Sequence, residues 1–174
     1  MVVGVALALA IIAGFNTTCR SGLVRPHERV AAVDITTFAM GLATYQRDLG
    51  AYPPDDITSA GGSAEDGANE VIHYYLGRKH VVGVHFYGPY VTFKVIRLTD
   101  EDADGFLEYR DPWGGVYVYA QRTPAPNENP PRFFDIASPG PDGVLGGTMV
   151  PGTGYVPATT PAGKAAEADN VTNW

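Results

Sequence analysis

The 174-residue chain is 45% hydrophobic and 18% charged, with 21 Gly and 14 Pro, which gives enough apolar material for one folded unit in a turn-rich backbone. A formal net charge of −7 and a pI near 4.9 oppose phosphate backbones and anionic headgroups, so nucleic acid is excluded as an expected partner and cations are the more natural ligands. The single cysteine, Cys19, excludes an internal disulfide and a thiolate pair for zinc.

Met1 to Phe15 is an uninterrupted apolar run of 15 residues, shorter than the roughly 20 needed for a bilayer-spanning helix. Three explanations compete: a signal-peptide core, a buried core helix, or the later part of a membrane helix that starts upstream. A secretory signal opens on Lys or Arg, and this run does not. Asn16 to Gly22 is small and polar and suits a membrane exit or a cleavage region; the residues before Cys19 are not the small apolar tripeptide of a lipoprotein signal.

From Pro26 to Leu49, the residues Ala31, Ile35, Phe38, Leu42, Tyr45 and Leu49 recur in steps of four and three, the stripe of an amphipathic helix. Pro26 is expected to open it and Gly50 to cap it, with Pro53 and Pro54 beyond. Asp55 to Asn69 reads as a loop, and Glu70 to Leu76 as a short helix stopped by Gly77. Val81–Phe86 and Tyr90–Leu98 are expected to form a hairpin turning at Gly88-Pro89. Val116–Gln121 and Arg132–Ala137 supply two more strands. The fold class is α+β, a long N-terminal helix laid on a small antiparallel sheet. Ser138 to Asn173 lacks apolar periodicity and reads as a long coil that something must hold, with Trp174 as a tether.

Asp100-Glu101-Asp102-Ala103-Asp104-Gly105 places carboxylates at alternate positions before a Gly, the opening of a calcium loop, and Glu108 and Asp111 lie behind it. Asp100, Asp102 and Asp104 are the candidate ligands, weighed against a solvated acidic turn. Pro112 after Asp111 excludes the second helix of an EF-hand. A second acidic group comprises Asp135, Ser138, Asp142 and Asp169. Its Ser138-Pro139-Gly140-Pro141-Asp142-Gly143 stretch is also good turn chemistry, while a metal tie would offset the entropy of ordering the tail. His27, His73, His80 and His85 lack zinc spacing and read as surface or hairpin residues. No nucleophile elbow or phosphate loop is present, so no catalysis and no small-molecule substrate are expected.

In register, four segments resemble the major pseudopilin of type II secretion, a member of the type IV pilin-like superfamily. They are Ala32-Val33-Asp34-Ile35 leading to Leu42, Tyr45, Asp48, Gly50, Tyr52 and Pro53; Asp111-Pro112-Trp113-Gly114 with Tyr117 and Tyr119; Phe134 to Gly143; and Asp169-Asn170-Val171-Thr172-Asn173-Trp174. The resemblance implies a pilin-like head, residues 26–174, on a hydrophobic helix segment, residues 1–25, with a single pass through the bacterial inner membrane and the head in the periplasm. It implies a homopolymer that drives protein export together with minor pseudopilins and an inner-membrane assembly platform. It also implies calcium in the C-terminal loop at Ser138, Asp142 and Asp169. Between Gly146 and Ala168 the loop is longer and poorer in acids than the family pattern, and the basic leader, cleavage Gly, Phe and Glu of the family's start are absent from this sequence. Met1-Val2-Val3 resembles the middle of the family's helix, which implies a start codon upstream. The alternative is a secreted or lipid-anchored calcium-binding module with no filament role.

Overall fold

The computed structural model describes residues 3–55, 57, 67–128 and 130–174, with side chains described at 26–55, 57, 69–128 and 130–174. Much of the expected loop from Asp55 to Asn69 therefore lies outside the described residues, as do Met1 and Val2. The chain folds as mixed α+β with small antiparallel sheets.

Helix α1 runs from Val3 to Leu49 without interruption. One expectation is corrected by this. Pro26 does not open the helix but lies inside it, and the Asn16 to Gly22 backbone before it is helical as well. Because proline has no N–H, the Gly22 carbonyl lacks its helical donor at that point. The predicted stripe holds: Ala31, Ile35, Phe38, Leu42 and Tyr45 are all buried, and Leu49 packs at the edge of the core. Each large side chain removed from water in this way contributes about 1.5–3 kcal/mol. Gly50, at φ 88°, ends the helix by donating its N–H to the Gln46 carbonyl at 2.8 Å.

Helix α2 (Gly67–Leu76) packs against α1 and against the strands Glu108–Tyr109 and Val118–Gln121, and places Val71, Ile72, Tyr75 and Leu76 in the core. Gly77 then donates to His73 O at 2.9 Å. The hairpin that follows is shifted from its expected place. Strands β1 (His80–Val82) and β2 (His85–Tyr87) turn at Gly83-Val84, whereas Gly88-Pro89 leads out of the hairpin. Tyr90 to Lys94 is not a strand. Tyr90 and Val91 donate their N–H groups to Leu76 O, and the segment continues beside α1 into a 3-10 turn at Val95–Arg97. Phe93 stacks on Phe38 with ring centroids 5.7 Å apart.

Strands β3 (Leu98–Thr99) and β4 (Glu108–Tyr109) form a second hairpin. The main sheet is β5 (Val118–Gln121), β6 (Phe134–Ser138) and β9 (Val171–Thr172), antiparallel in the order β5-β6-β9. Tyr119 and Ile136 on this sheet and Tyr117 just before β5 are fully buried, and Phe38 meets Tyr117 edge-on at 5.2 Å. Two phenol groups tie the sheet to α1 and the segment after it. Tyr117 Oη donates to Asp34 Oδ2 at 2.9 Å, and Tyr119 Oη donates to Pro53 O at 2.9 Å. Asp34 also pairs with Arg97 at 2.8 Å.

The expected C-terminal coil is corrected too. It contains the hairpin of β7 (Thr148–Val150) and β8 (Gly154–Val156), the helix α3 (Pro161–Glu167), and β9. Thr160 caps α3 by accepting the Gly163 N–H at 3.1 Å, and Pro161 sits in its first turn. Asn173 extends the β6 edge through its side chain: Ile136 donates to its Oδ1 at 2.7 Å, and its Nδ2 donates to Phe134 O at 3.2 Å. Trp174 stacks on Tyr155 at 5.0 Å with Arg132 over its face, yet stays 43% exposed, so it is held without being buried.

Candidate functional site

The β3–β4 turn presents the first acidic group. Its loop is shaped by its own carboxylates: Asp104 N–H donates to Asp102 Oδ1 at 3.2 Å, and Phe106 N–H to Asp104 Oδ1 at 2.8 Å. Gly105 takes φ 92°, a backbone that a Cβ would strain, and Ala103 takes φ 61°. As a result Asp100, Asp102 and Asp104 each offer an oxygen within 4.8 Å of the others, and all three are exposed. The spacing read from the sequence thus converges in space. Glu101 turns aside to pair with Arg110 at 2.8 Å.

Behind the loop is an arrangement the sequence did not reveal. Glu70 of α2, fully buried, and Glu108 of β4, 3% exposed, bring oxygens within 4.8 Å of each other and of Asp102. Burial raises the Glu108 carboxyl above the usual carboxylate range, and the nearby charges of Glu101 and Asp102 add to this. Backbone N–H groups, including that of Glu101 at 3.2 Å, oppose the shift. The one signal for Glu70 was an acid heading an otherwise apolar and aromatic helix. Asp111 does not join this loop. It is buried elsewhere, accepting the Trp113 N–H at 2.9 Å.

The second group forms around the end of β6. Ser138 is fully buried, but its hydroxyl is committed: it donates to Asp111 Oδ2 at 2.5 Å and accepts the Gly140 N–H at 3.2 Å. Asp142 is exposed; its Oδ1 accepts Val144 N–H at 2.8 Å, and its own N–H donates to Asp169 Oδ2 at 3.3 Å. Gly140, at φ 74°, lets the Asp169 backbone approach so closely that a Cβ there would collide with its carbonyl. Asp142 and Asp169 therefore meet across 27 residues of sequence. The remaining carboxylate oxygen, Asp169 Oδ1, is buried and accepts no hydrogen bond from the described residues. Asp135 belongs to neither group: it pairs with Arg132 at 2.9 Å and accepts the Tyr155 N–H at 2.8 Å.

Three histidines need comment. His80 is a hairpin residue, the first of β1, but does not face solvent. It is buried, its ring is edge-on to Tyr45 at 5.1 Å, and its Nε2–H donates to Tyr75 O at 2.7 Å. His73 is half-buried beside Phe93, and burial lowers its pKa. His27 meets Trp113 edge-on at 5.8 Å. The side chain of Cys19 lies outside the described residues.

No family model matches the chain, and no curated protein or solved structure matches it. One expectation is overturned outright. Among the described residues no helix is long and apolar enough to cross a membrane, so the single-pass inner-membrane anchor with a periplasmic head is withdrawn. The physical reason lies in the sequence of α1, where thirteen apolar residues, Val3 to Phe15, are followed by Asn16, Thr17, Thr18, Arg20 and Ser21, which interrupt the run before it reaches spanning length.

Proposed function

We propose that the chain is a filament-forming subunit of the type II secretion pseudopilin kind, a pilin-like head on a long helix that polymerises with copies of itself and drives protein export, and not an enzyme. The observation that carries this is the outward face of α1. Between Arg29 and Arg47 the helix has a single charged residue, Asp34, and that one is turned to Arg97. Val30, Val33 and Met40 are 41%, 64% and 68% exposed on the side away from the core. A solvated helix face ordinarily carries charge. This one suits ridges-into-grooves packing on a neighbouring helix, and a head-to-tail contact that does not close generates a filament. The helix laid on an antiparallel sheet supports the pilin-like arrangement. Minor pseudopilins and an assembly platform are the further partners of this reading.

Calcium is the cation proposed for the C-terminal loop, where Asp169 Oδ1 supplies a buried oxygen that accepts no hydrogen bond from the described residues, with Asp142 beside it. Calcium is a hard ion that prefers carboxylate and carbonyl oxygens. Its binding would hold the tail against β6 and raise the population of the folded head by linkage. Ser138 contributes by orienting the turn through Asp111. A chain whose melting temperature is unmoved by calcium or chelator would remove this element.

The filament is tested by cysteine cross-linking in a Cys19→Ser background, with Val33→Cys and Met40→Cys introduced together. Filament packing gives a ladder of covalent oligomers that persists on dilution. A monomer band alone would favour the calcium-binding module without a filament role.

A further inference from the structure

The acidic balance of the whole chain conceals one region of opposite sign. Residues 71–99 hold four of the twelve Lys and Arg and none of the nineteen Asp and Glu. The β1–β2 hairpin stands in this region and, among the described residues, pairs with no other strand. Its root is fixed, because His80 is buried against Tyr45 and bonded to the Tyr75 carbonyl. Beyond His80 the apolar side chains turn to solvent. Val81 and Phe86 face each other across the strands at 63% and 74% exposure, and Val82 and the turn residue Val84 are 53% and 85% exposed. Four large apolar side chains thus occupy a six-residue tip, where a solvated hairpin would carry polar groups.

The charge lies beside the tip. Arg78 and Lys79 immediately precede β1 and are exposed, with the Arg78 guanidinium held 3.9 Å above the Tyr74 ring. No described carboxylate forms an ion pair with Arg78, Lys79 or Lys94.

We propose that this hairpin docks on an anionic lipid surface, the Val81–Phe86 tip entering the interface while Arg78 and Lys79 meet headgroup phosphates. The contact is peripheral, involves no spanning helix, and stands independently of the filament reading. Apolar side chains inserted at the headgroup boundary beside basic residues on its polar side are the chemistry of interfacial binding. An acidic protein surface, such as the Asp100–Asp104 turn of a second copy, would answer the charge but leave the four apolar side chains without a matching partner. A lipid interface answers both.

The test is local to the hairpin, so that the apolar N-terminal residues do not confuse it. Val84→Cys in a Cys19→Ser full-length chain carries an environment-sensitive fluorophore and is mixed with vesicles of phosphatidylcholine alone or of phosphatidylcholine with phosphatidylglycerol. The expected result is a blue shift on the phosphatidylglycerol vesicles that weakens with salt. Arg78→Gln with Lys79→Gln should weaken that binding by about fivefold per charge, on the order of thirtyfold together. Val81→Ser with Phe86→Ser should remove the shift, and circular dichroism should report an unchanged fold. No shift on either vesicle, or an equal shift on both, overturns the proposal. So does a shift that grows with protein concentration in the absence of vesicles, which would assign the hairpin to a second copy.

Discussion

Replacing Asp34 by Ala tests how α1 is fastened to the rest of the fold. Its carboxylate is the shared partner of Arg97 at 2.8 Å and of the fully buried Tyr117 hydroxyl at 2.9 Å. Arg97 could not swing clear after the loss, because its Nε donates to Arg110 O at 2.8 Å and its guanidinium lies 4.4 Å over the Tyr109 ring. Stranding a fully buried charge costs about 3–5 kcal/mol. With the two side chains 16% and 17% exposed, solvent reduces this to about 2–3 kcal/mol. The orphaned phenol adds about 1 kcal/mol, giving a loss of about 3–4 kcal/mol in all. Urea unfolding followed by fluorescence and circular dichroism would measure it, with Tyr117→Phe and the double variant closing a cycle whose coupling should be about 1 kcal/mol. Asp48→Ala is the control on the same helix. Its partner Arg47 is 72% exposed, so its loss should stay within about 0.5 kcal/mol. An Asp34→Ala loss no larger than that of Asp48→Ala would refute the idea that this network fastens the helix.

Phe38→Ala should cost about 3–5 kcal/mol, since the ring touches Phe93, Tyr109 and Tyr117 and leaves a cavity between helix and sheet; thermal melts would show it. Glu108→Gln keeps an acceptor for Glu101 N–H but removes the ionisation. Because the folded pKa of Glu108 lies above its unfolded value of 4.5, its contribution is full below 4.5 and is lost as pH rises through the folded pKa. In chelator the variant should therefore be the more stable protein at neutral pH and equal to the parent below pH 4.5; urea midpoints across pH would contradict this if the variant were weaker at neutral pH. Gly140→Ala places a Cβ on a φ of 74° against the Asp169 carbonyl and should cost on the order of 2 kcal/mol. Hydrogen exchange should then quicken at Val171 and Thr172 before it does at Ile136.

Where a segment's physics is local and periodic, the sequence makes it visible. The stripe from Ala31 to Tyr45 could be read because a helix buried on one face must repeat its apolar residues near 3.6. The β1–β2 hairpin was misplaced because Gly88-Pro89 is a stronger turn signal than Gly83-Val84. The choice was decided by His80, whose burial against Tyr45 depends on contacts 35 residues away. The C-terminal elements escaped because they are short and carry little apolar surface: α3 has no buried residue and rests on its Thr160 cap. Of the candidate ligands, the alternate acids of the β3–β4 turn converge as their spacing implies. The Ser138 hydroxyl is oriented by a contact the sequence did not reveal, donating its proton to the buried Asp111 27 residues away. Glu70 could not be linked to Glu108 without knowing that α2 packs on β4.

The Asn173 amide has a consequence for how the molecule survives in crowded solution. A strand with bare N–H and C=O groups along one side recruits strands from other molecules. Beside β6, β9 covers Ala137 and Ser138, and the Asn173 carboxamide takes the Ile136 N–H and the Phe134 carbonyl as a strand backbone would. On the far side of the sheet, the Asp55 carboxylate occupies the Gln121 N–H. Two side chains thus close the edges of the three-stranded sheet at Ile136 and Gln121, so Asn173→Leu should yield a protein that precipitates through this sheet before it unfolds.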